Sequence, residues 1–340
     1  MRAMEKTSRR VSPWIAGWLL LIAGMIFTTL MVGGATRLTK SGLSITEWKP
    51  IMGALPPFND ADWQTAFEKY QQSSQYKLMN QGMGLSDFKT IFWWEWAHRF
   101  LDRMIGMVFA APFAYFAATA QLPRRLWPRL LLIFIAGGLE GVVGWFMVAS
   151  GLVDRVSVSQ YFLAAHLTIA TLLFAAVVWT YLGLNPRGTR TPHASSGLAV
   201  LILILAIVQI AAGGFVAGLD AGQGYNTWPL MDGGLVPSGL AAMEPLWRNP
   251  FENALTVQFD HRLLAYVIFA LATLHAALSR GTSTLLLLGS VILQASLGIA
   301  TLLLHVPIAL ALVHQGGALV LLTAALWNLH CQLRRAATFA

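Results

Sequence analysis

Long apolar runs separated by short polar segments make up most of the chain. Each run holds roughly 20 residues with few charges, which is the length an α-helix needs to cross about 30 Å of hydrocarbon. The pattern predicts eight membrane-spanning helices, near Trp14–Val32, 97–119, 129–149, 160–183, 198–218, 261–279, 284–304 and 308–330.

Composition supports this prediction. Of the 340 residues 56% are hydrophobic and only 11% are charged, so the polar residues are too few to cover a water-soluble domain. The first run follows a basic segment, as in a signal peptide, but no small-residue cleavage site comes after it, and we expect a retained anchor. The expected fold class is an all-α polytopic membrane protein.

Charge predicts the topology. The amino-terminal tail, three alternate loops and the carboxyl-terminal tail hold 12 of the 23 Lys and Arg residues and one acid, Glu5. The positive-inside rule places these segments and both termini in the cytoplasm. The loops near 35–92 and 219–258 then lie on the opposite side of the membrane. The net charge of +8 reports topology and does not indicate nucleic-acid binding.

The sequence contains a single cysteine, Cys331. One cysteine excludes an intramolecular disulfide and argues against a Cys-based metal or thiol site.

The two halves of the chain resemble each other. "VGGATRLTKSGLSITEWKPIMGALPP" at 32–57 matches "AGGFVAGLDAGQGYNTWPLMDGGLVP" at 212–237, and later matches follow in the same order. The offset falls from 180 at the glycine pair to 163, 154 and 148 further on, as shorter loops in the second half require. We predict two pseudo-symmetric four-helix bundles, residues 1–185 and 186–340, with sites between helices.

Four of the eight histidines fall at repeat-equivalent positions, His98 and His166 in the first half and His261 and His314 in the second. We expect His98 and His261 at the start of a helix, and all four rings near the outer leaflet. An imidazole in hydrocarbon needs a partner, and two imidazoles on facing helices suit the iron of a porphyrin better than zinc, which takes three or four protein ligands. The alternative is that each ring bonds a backbone carbonyl or caps a helix.

The halves differ beside these histidines. Glu95 precedes His98 by three residues, on the same helical face, whereas Gln258 precedes His261. A carboxylate there can hold a proton or stabilise developing positive charge, which predicts one reactive site and one electron-transfer site. The alternative for Glu95 is an interfacial carboxylate that faces water or pairs with Arg99 at i+4.

Two further pairs of polar residues recur in the repeat. Arg99 and Arg262 follow the first histidine of each half and could bind haem propionates or, equally, lipid phosphate. Glu140 and Gln294 lie mid-span, and we expect them to bond across helices without a catalytic role.

Together, "GGATRLTKSGLSITEWKPIMGALPP", "FWWEWAHRFLDRMIG", "AGLDAGQGYNTWPLMDG" and "VQFDHRLLAY" resemble the haem A synthase family, in the type shared by alphaproteobacteria and mitochondria. The resemblance implies oxidation of the C8 methyl group of haem O to a formyl group, giving haem A for cytochrome c oxidase. It implies that His98 and His166 bind the substrate haem, that Glu95 is the essential acid, and that His261 and His314 bind a haem b cofactor. The outer-loop cysteine pair of the Gram-positive branch is absent from this sequence.

The resemblance also implies partners. Haem O synthase, the farnesyl-transferring enzyme upstream, would supply the substrate, and the chain would contact membrane lipid. The sequence names no electron donor or acceptor and leaves open whether a homo-oligomer forms. Two other interpretations are a di-haem b electron carrier of the quinol oxidoreductase type and a transporter, although a transporter would place its polar groups near the bilayer midplane.

Overall fold

The computed structural model describes residues 12–49, 52–153, 155–184 and 196–336, with side chains up to residue 333. Eight of its helices are long and apolar enough to cross a membrane, which confirms the predicted number. In this part of the chain the only β-pairing is an isolated bridge between Met231 and Gly234. The helices are α1 Pro13–Leu38, α2 Asp60–Gln71, α3 Ser74–Met79, α4 Leu85–Ala118, α5 Trp127–Leu152, α6 Gln160–Leu184, α7 Ser196–Gly218, α8 Asn249–Glu252, α9 Ala254–Ser279, α10 Thr282–Leu303 and α11 Ile308–Ala336.

Helices α4 and α9 begin earlier than the apolar pattern predicts. Hydropathy marks only the apolar part of a helix, and α4 starts at Leu85, well before the predicted boundary at 97. The expectation that His98 and His261 stand at helix starts is therefore wrong. Both side chains project from helix interiors, where the backbone is fixed by hydrogen bonds in both directions.

The segment between α1 and α4, residues 39–84, is called the first outer loop after its predicted topology. It contains two helices, α2 and α3, that the hydropathy pattern did not predict. Asn59 caps α2 and Ser73 caps α3, each accepting a hydrogen bond from a backbone N–H of the first turn. These helices pack an aromatic cluster onto the start of α4, and the segment forms a helical cover over that end of α4. The cluster comprises Trp63, Phe67, Tyr70, Phe88 and Phe92.

Equivalent helices of the two halves have equivalent neighbours. In the first half α1 packs on α4 and α6, and α5 packs on α6. In the second half α7 packs on α9 and α11, and α10 packs on α11. This arrangement is consistent with the predicted pseudo-symmetry. The described residues do not include the predicted boundary at residues 185 and 186 or the basic residues of the amino-terminal tail and the 185–193 loop. Of the basic residues in the carboxyl-terminal tail they include only the backbone.

The halves meet along a seam formed by α6 and α7. A methyl group at Gly214 would lie 2.8 Å from the Cα atom of Ala164, and one at Gly218 would lie 2.7 Å from the Cα atom of Gln160. These distances are shorter than the 3.5 to 4.0 Å at which carbon atoms make favourable contacts. The absence of side chains at Gly214 and Gly218 is therefore what lets the two backbones approach so closely.

We predict that Gly214→Val lowers the thermal unfolding midpoint of the detergent-solubilised protein. The new side chain meets backbone atoms of α6, and overpacking of this kind costs about 1–3 kcal/mol. Gly289→Ala in α10 is the control, because a methyl group there has no heavy atom within 4 Å. An unchanged midpoint for Gly214→Val would contradict the close seam.

Candidate functional site

Each of the first two histidines lies against a glycine of a neighbouring helix. His98 on α4 faces Gly33 on α1, where a methyl group would lie 2.8 Å from Nε2 of the ring. His166 on α6 faces Gly144 on α5, where a methyl group would lie 2.8 Å from Cε1. Any larger residue would displace the rings, so the glycines create the space in which the imidazoles stand.

The second half repeats this arrangement. His261 on α9 faces Gly213 on α7, where a methyl group would lie 3.3 Å from Cε1, and His314 on α11 faces Gly298 on α10 at 2.8 Å. The two glycines follow their first-half equivalents at the offsets of 180 and 154 already seen in the sequence. Sequence reasoning gave these glycines no role, although the repeat aligned them.

The first pair of imidazoles has the spacing of two axial ligands. The ring centroids of His98 and His166 lie 6.3 Å apart, and the ring planes make an angle of 80°. Two metal–nitrogen bonds of about 2 Å, plus the distance from nitrogen to ring centre on each side, give a separation of roughly 6 Å. The centroid separation of His98 and His166 therefore matches that of two imidazoles that bind one iron between them.

The second pair, His261 and His314, projects from α9 and α11 of the second half. A glutamine accompanies each ring. Gln209 donates to the backbone carbonyl of His261 at 3.0 Å, and Gln294 donates to that of His314 at 2.9 Å. The amide nitrogen of Gln294 also lies 3.2 Å from Nδ1 of its histidine. The prediction that Gln294 bonds across helices is confirmed.

Glu140 is paired with His166. Oε1 of Glu140 on α5 lies 2.5 Å from Nδ1 of His166 on α6, and the two side chains are 11% and 14% exposed. The prediction that Glu140 bonds across helices is therefore also confirmed. Its partner, however, is one of the four repeated histidines, which the sequence did not reveal.

Glu95 clamps the first outer loop to α4. Its Oε2 accepts hydrogen bonds from the Ser44 hydroxyl and the Ile45 backbone N–H, each at 2.7 Å, and its Oε1 pairs with Arg99. The side chain is only 2% exposed. The alternative in which Glu95 pairs with Arg99 at i+4 is thus what the structure contains, and the contact with the loop is additional to it.

Gln258 occupies the equivalent place in the second half, but it donates hydrogen bonds to its loop, whereas Glu95 accepts them. Its amide nitrogen donates to the carbonyl oxygens of Ala221 and Gly224, at 2.6 and 2.8 Å, while its Oε1 accepts from Arg262 at 2.7 Å. The first loop presents two donors to a carboxylate, and the second presents two acceptors to an amide. Each side chain therefore matches its own loop.

The two arginines bind the same loops at equivalent points. Arg99 donates to the carbonyl oxygens of Ile45 and Glu47, and Arg262 donates to those of Tyr225 and Thr227. The loop positions in the two halves differ by 180, as in the repeat. Contact with a haem propionate stays a prediction for both arginines.

Salt bridges of Glu47 further stabilise the loop that Arg99 binds. Glu47 lies 2.8 Å from Lys69 of α2 and 2.9 Å from Lys49. The hydrogen bonds from Lys69 and Lys49 lower the pKa of the Glu47 carboxyl group below its usual value. The helical cover and the clamp at Glu95 therefore stabilise one and the same loop.

The remaining histidines lie away from these pairs. His275 is fully buried and its Nε2 lies 3.0 Å from Oδ1 of Asn328, in a polar network of α9, α10 and α11. The ring of His330 packs edge-on against Trp179. His305 follows the end of α10, and His193 lies outside the described residues.

Comparison with known proteins gives consistent results over nearly the whole chain. Residues 16–326 match a family described as cytochrome oxidase assembly protein. A heme A synthase of Mesorhizobium japonicum is 52% identical over 92% of this chain and 90% of its own length. Heme A synthases of Parvibaculum lavamentivorans and Azorhizobium caulinodans are 49% and 54% identical, over 97% and 91% of both chains respectively.

We predict that Glu95→Gln destabilises the first outer loop although it keeps the size of the side chain. An amide cannot accept hydrogen bonds at both ends, so a donor among Ser44, Ile45 and Arg99 would meet another donor, at a cost of about 1–3 kcal/mol. The measurement is the thermal midpoint, together with the rate of proteolysis in segment 39–58.

The control is Glu68→Gln on α2, whose exposed side chain contacts only Gln64, at 3.3 Å. We expect little change from this variant. Equal stability of the Glu95→Gln and Glu68→Gln proteins would contradict the clamp.

Proposed function

This chain belongs to the cytochrome oxidase assembly protein family, and we propose that it is a haem A synthase, an oxidoreductase that converts the C8 methyl group of haem O to a formyl group. The observation that carries the proposal is the identity of about half of all residues with heme A synthases along more than nine tenths of the chain. The paired histidines supply a place for the chemistry, because haem is both the substrate and the source of the redox centre in this reaction.

We propose that His98 and His166 bind the iron of haem O. Their centroid separation of 6.3 Å and the glycines beneath both rings support this assignment. His261 and His314 would bind a haem b cofactor, supported by the equivalent glycines in the second half. When bound, a haem supplies the oxidising power that an unactivated methyl group requires, and the protein supplies position and charge.

We assign Glu95 an electrostatic role. The Arg99 guanidinium and the Ile45 backbone N–H, which can only donate, contact one carboxylate oxygen each, so both oxygens of Glu95 act as acceptors. Of the two roles open from the sequence, stabilisation of positive charge that develops at the substrate methyl group suits these contacts better than proton transfer. The buried carboxylate is also held rigidly, as a preorganised charge should be.

The arginines are proposed to bind haem propionates in addition to their loops. Nε of Arg262 is buried and has no hydrogen-bond partner among the described residues. A propionate oxygen would satisfy this donor, and leaving it unpaired would cost free energy. Lipid phosphate is the other anion that could serve.

The protein spans the membrane several times, and we propose the bacterial inner membrane as its location. The excess of Lys and Arg in alternate loops supports cytoplasmic termini and haem sites toward the periplasmic side. Haem O synthase is the proposed supplier of substrate, by direct transfer or through the lipid phase.

A di-haem b electron carrier is the alternative function. Such a carrier would need no difference between its two sites, whereas Glu95 and Gln258 make the two halves unlike.

We predict that the protein purified from cells that make haem O yields haem A or its hydroxylated precursor on pigment extraction. His98→Ala and His166→Ala should abolish both products, because the substrate iron loses a ligand, and Glu95→Ala should reduce them at least tenfold. His305→Asn is the control, since His305 has a positive φ, which Asn tolerates, and lies outside the histidine pairs. Recovery of unaltered haem alone from the unsubstituted protein would contradict the proposed function.

A further inference from the structure

One buried carboxylate has no part in the function proposed above. Glu140 lies in the middle of α5, a predicted membrane span, and a charge in such a position requires a partner inside the protein. Its Oε1 lies 2.5 Å from Nδ1 of His166. Ionisable side chains within membrane spans are costly, and their partners indicate their roles.

We propose that Glu140 is a positioning residue of the first haem site: it fixes the ring orientation and tautomer of His166, and its charge makes the iron between His98 and His166 harder to reduce than the iron between His261 and His314. This inference rests on the proposed function, because it requires haem at both histidine pairs.

The contact selects the tautomer of His166. Oε1 of Glu140 lies 2.5 Å from Nδ1 of His166, and because a carboxylate has only acceptor atoms, the tautomer that avoids repulsion at this distance carries its hydrogen on Nδ1. The other nitrogen, Nε2, then keeps its lone pair and can bind a metal. Histidine ligands of metals commonly use one nitrogen for the metal and donate from the other to a carboxylate or carbonyl, which also makes the imidazole a stronger ligand.

The same face of α5 also fixes the ring sterically. Glu140 and Gly144 are four residues apart and therefore lie on one side of the helix. Glu140 meets Nδ1 of His166, and Gly144 lies beneath Cε1, where a methyl group would be only 2.8 Å away. Rotation of the imidazole would break the contact with Glu140 or bring the ring against the backbone of α5.

The second half has the same arrangement without the charge. Gln294 and Gly298 are also four residues apart, and both approach His314. The amide of Gln294 is neutral and donates to the backbone of His314 at 2.9 Å. The first site therefore has a carboxylate beside its ligand His166 at the position where the second site has a neutral amide beside His314. Such a charge stabilises the oxidised form of the iron and lowers its reduction potential.

The test is a redox titration of the full-length protein, purified with haem bound at both sites and followed by optical spectroscopy. His166→Ala and His314→Ala identify the signal of each haem by its loss. We expect Glu140→Gln to raise the midpoint potential of the first haem by about 59 mV, a tenfold change in the one-electron equilibrium, and to leave the second unchanged. Gln294→Glu should lower the potential of the second haem in the same proportion.

An unchanged first potential in Glu140→Gln, with haem A still formed, would overturn this inference and leave the proposed function standing. If Glu140→Gln fails to retain the first haem, Gln294→Glu decides, since an unchanged second potential then overturns it. Failure of the proposed function is separate, because the unsubstituted protein would then yield only unaltered haem on pigment extraction.

Discussion

Every polar side chain that lies between the helices of this apolar chain must find its partner within the protein. An unpaired polar group in hydrocarbon costs several kcal/mol, so such residues fix where two segments meet. Glu95 ties the first outer loop to α4, Gln258 ties the second to α9, and Glu140 ties α5 to α6. The positions of the histidines follow, because they stand on the helices that these contacts hold together.

The two halves have equivalent helix neighbours and different charge. Both halves place an imidazole over a glycine twice, at matching positions. Yet Glu95 receives hydrogen bonds where Gln258 gives them, and Glu140 brings a charge where Gln294 brings none. A common framework thus holds two pairs of histidines in similar surroundings, and a few neighbouring side chains give the two pairs different charge.

Sequence reasoning succeeds where the underlying property is periodic or repeated. The eight spans follow from apolar runs, and the histidines from their recurrence at matched positions. It fails for α2 and α3, because a water-exposed helical cover leaves no membrane-length apolar run, and for the start of α4, because hydropathy does not mark where a helix begins. The bonds of Glu95 to Ser44 and Ile45 join residues about 50 positions apart, a distance that no local pattern encodes.

The seam between α6 and α7 links the two histidine sites through neighbouring residues. Gly214 meets Ala164, two positions from His166, while the adjacent Gly213 lies beneath His261. Any change in the packing of α6 on α7 would therefore shift the backbone beside both sites. A chimaera that exchanges whole halves between distant relatives would fail first at this boundary, even if each half were intact.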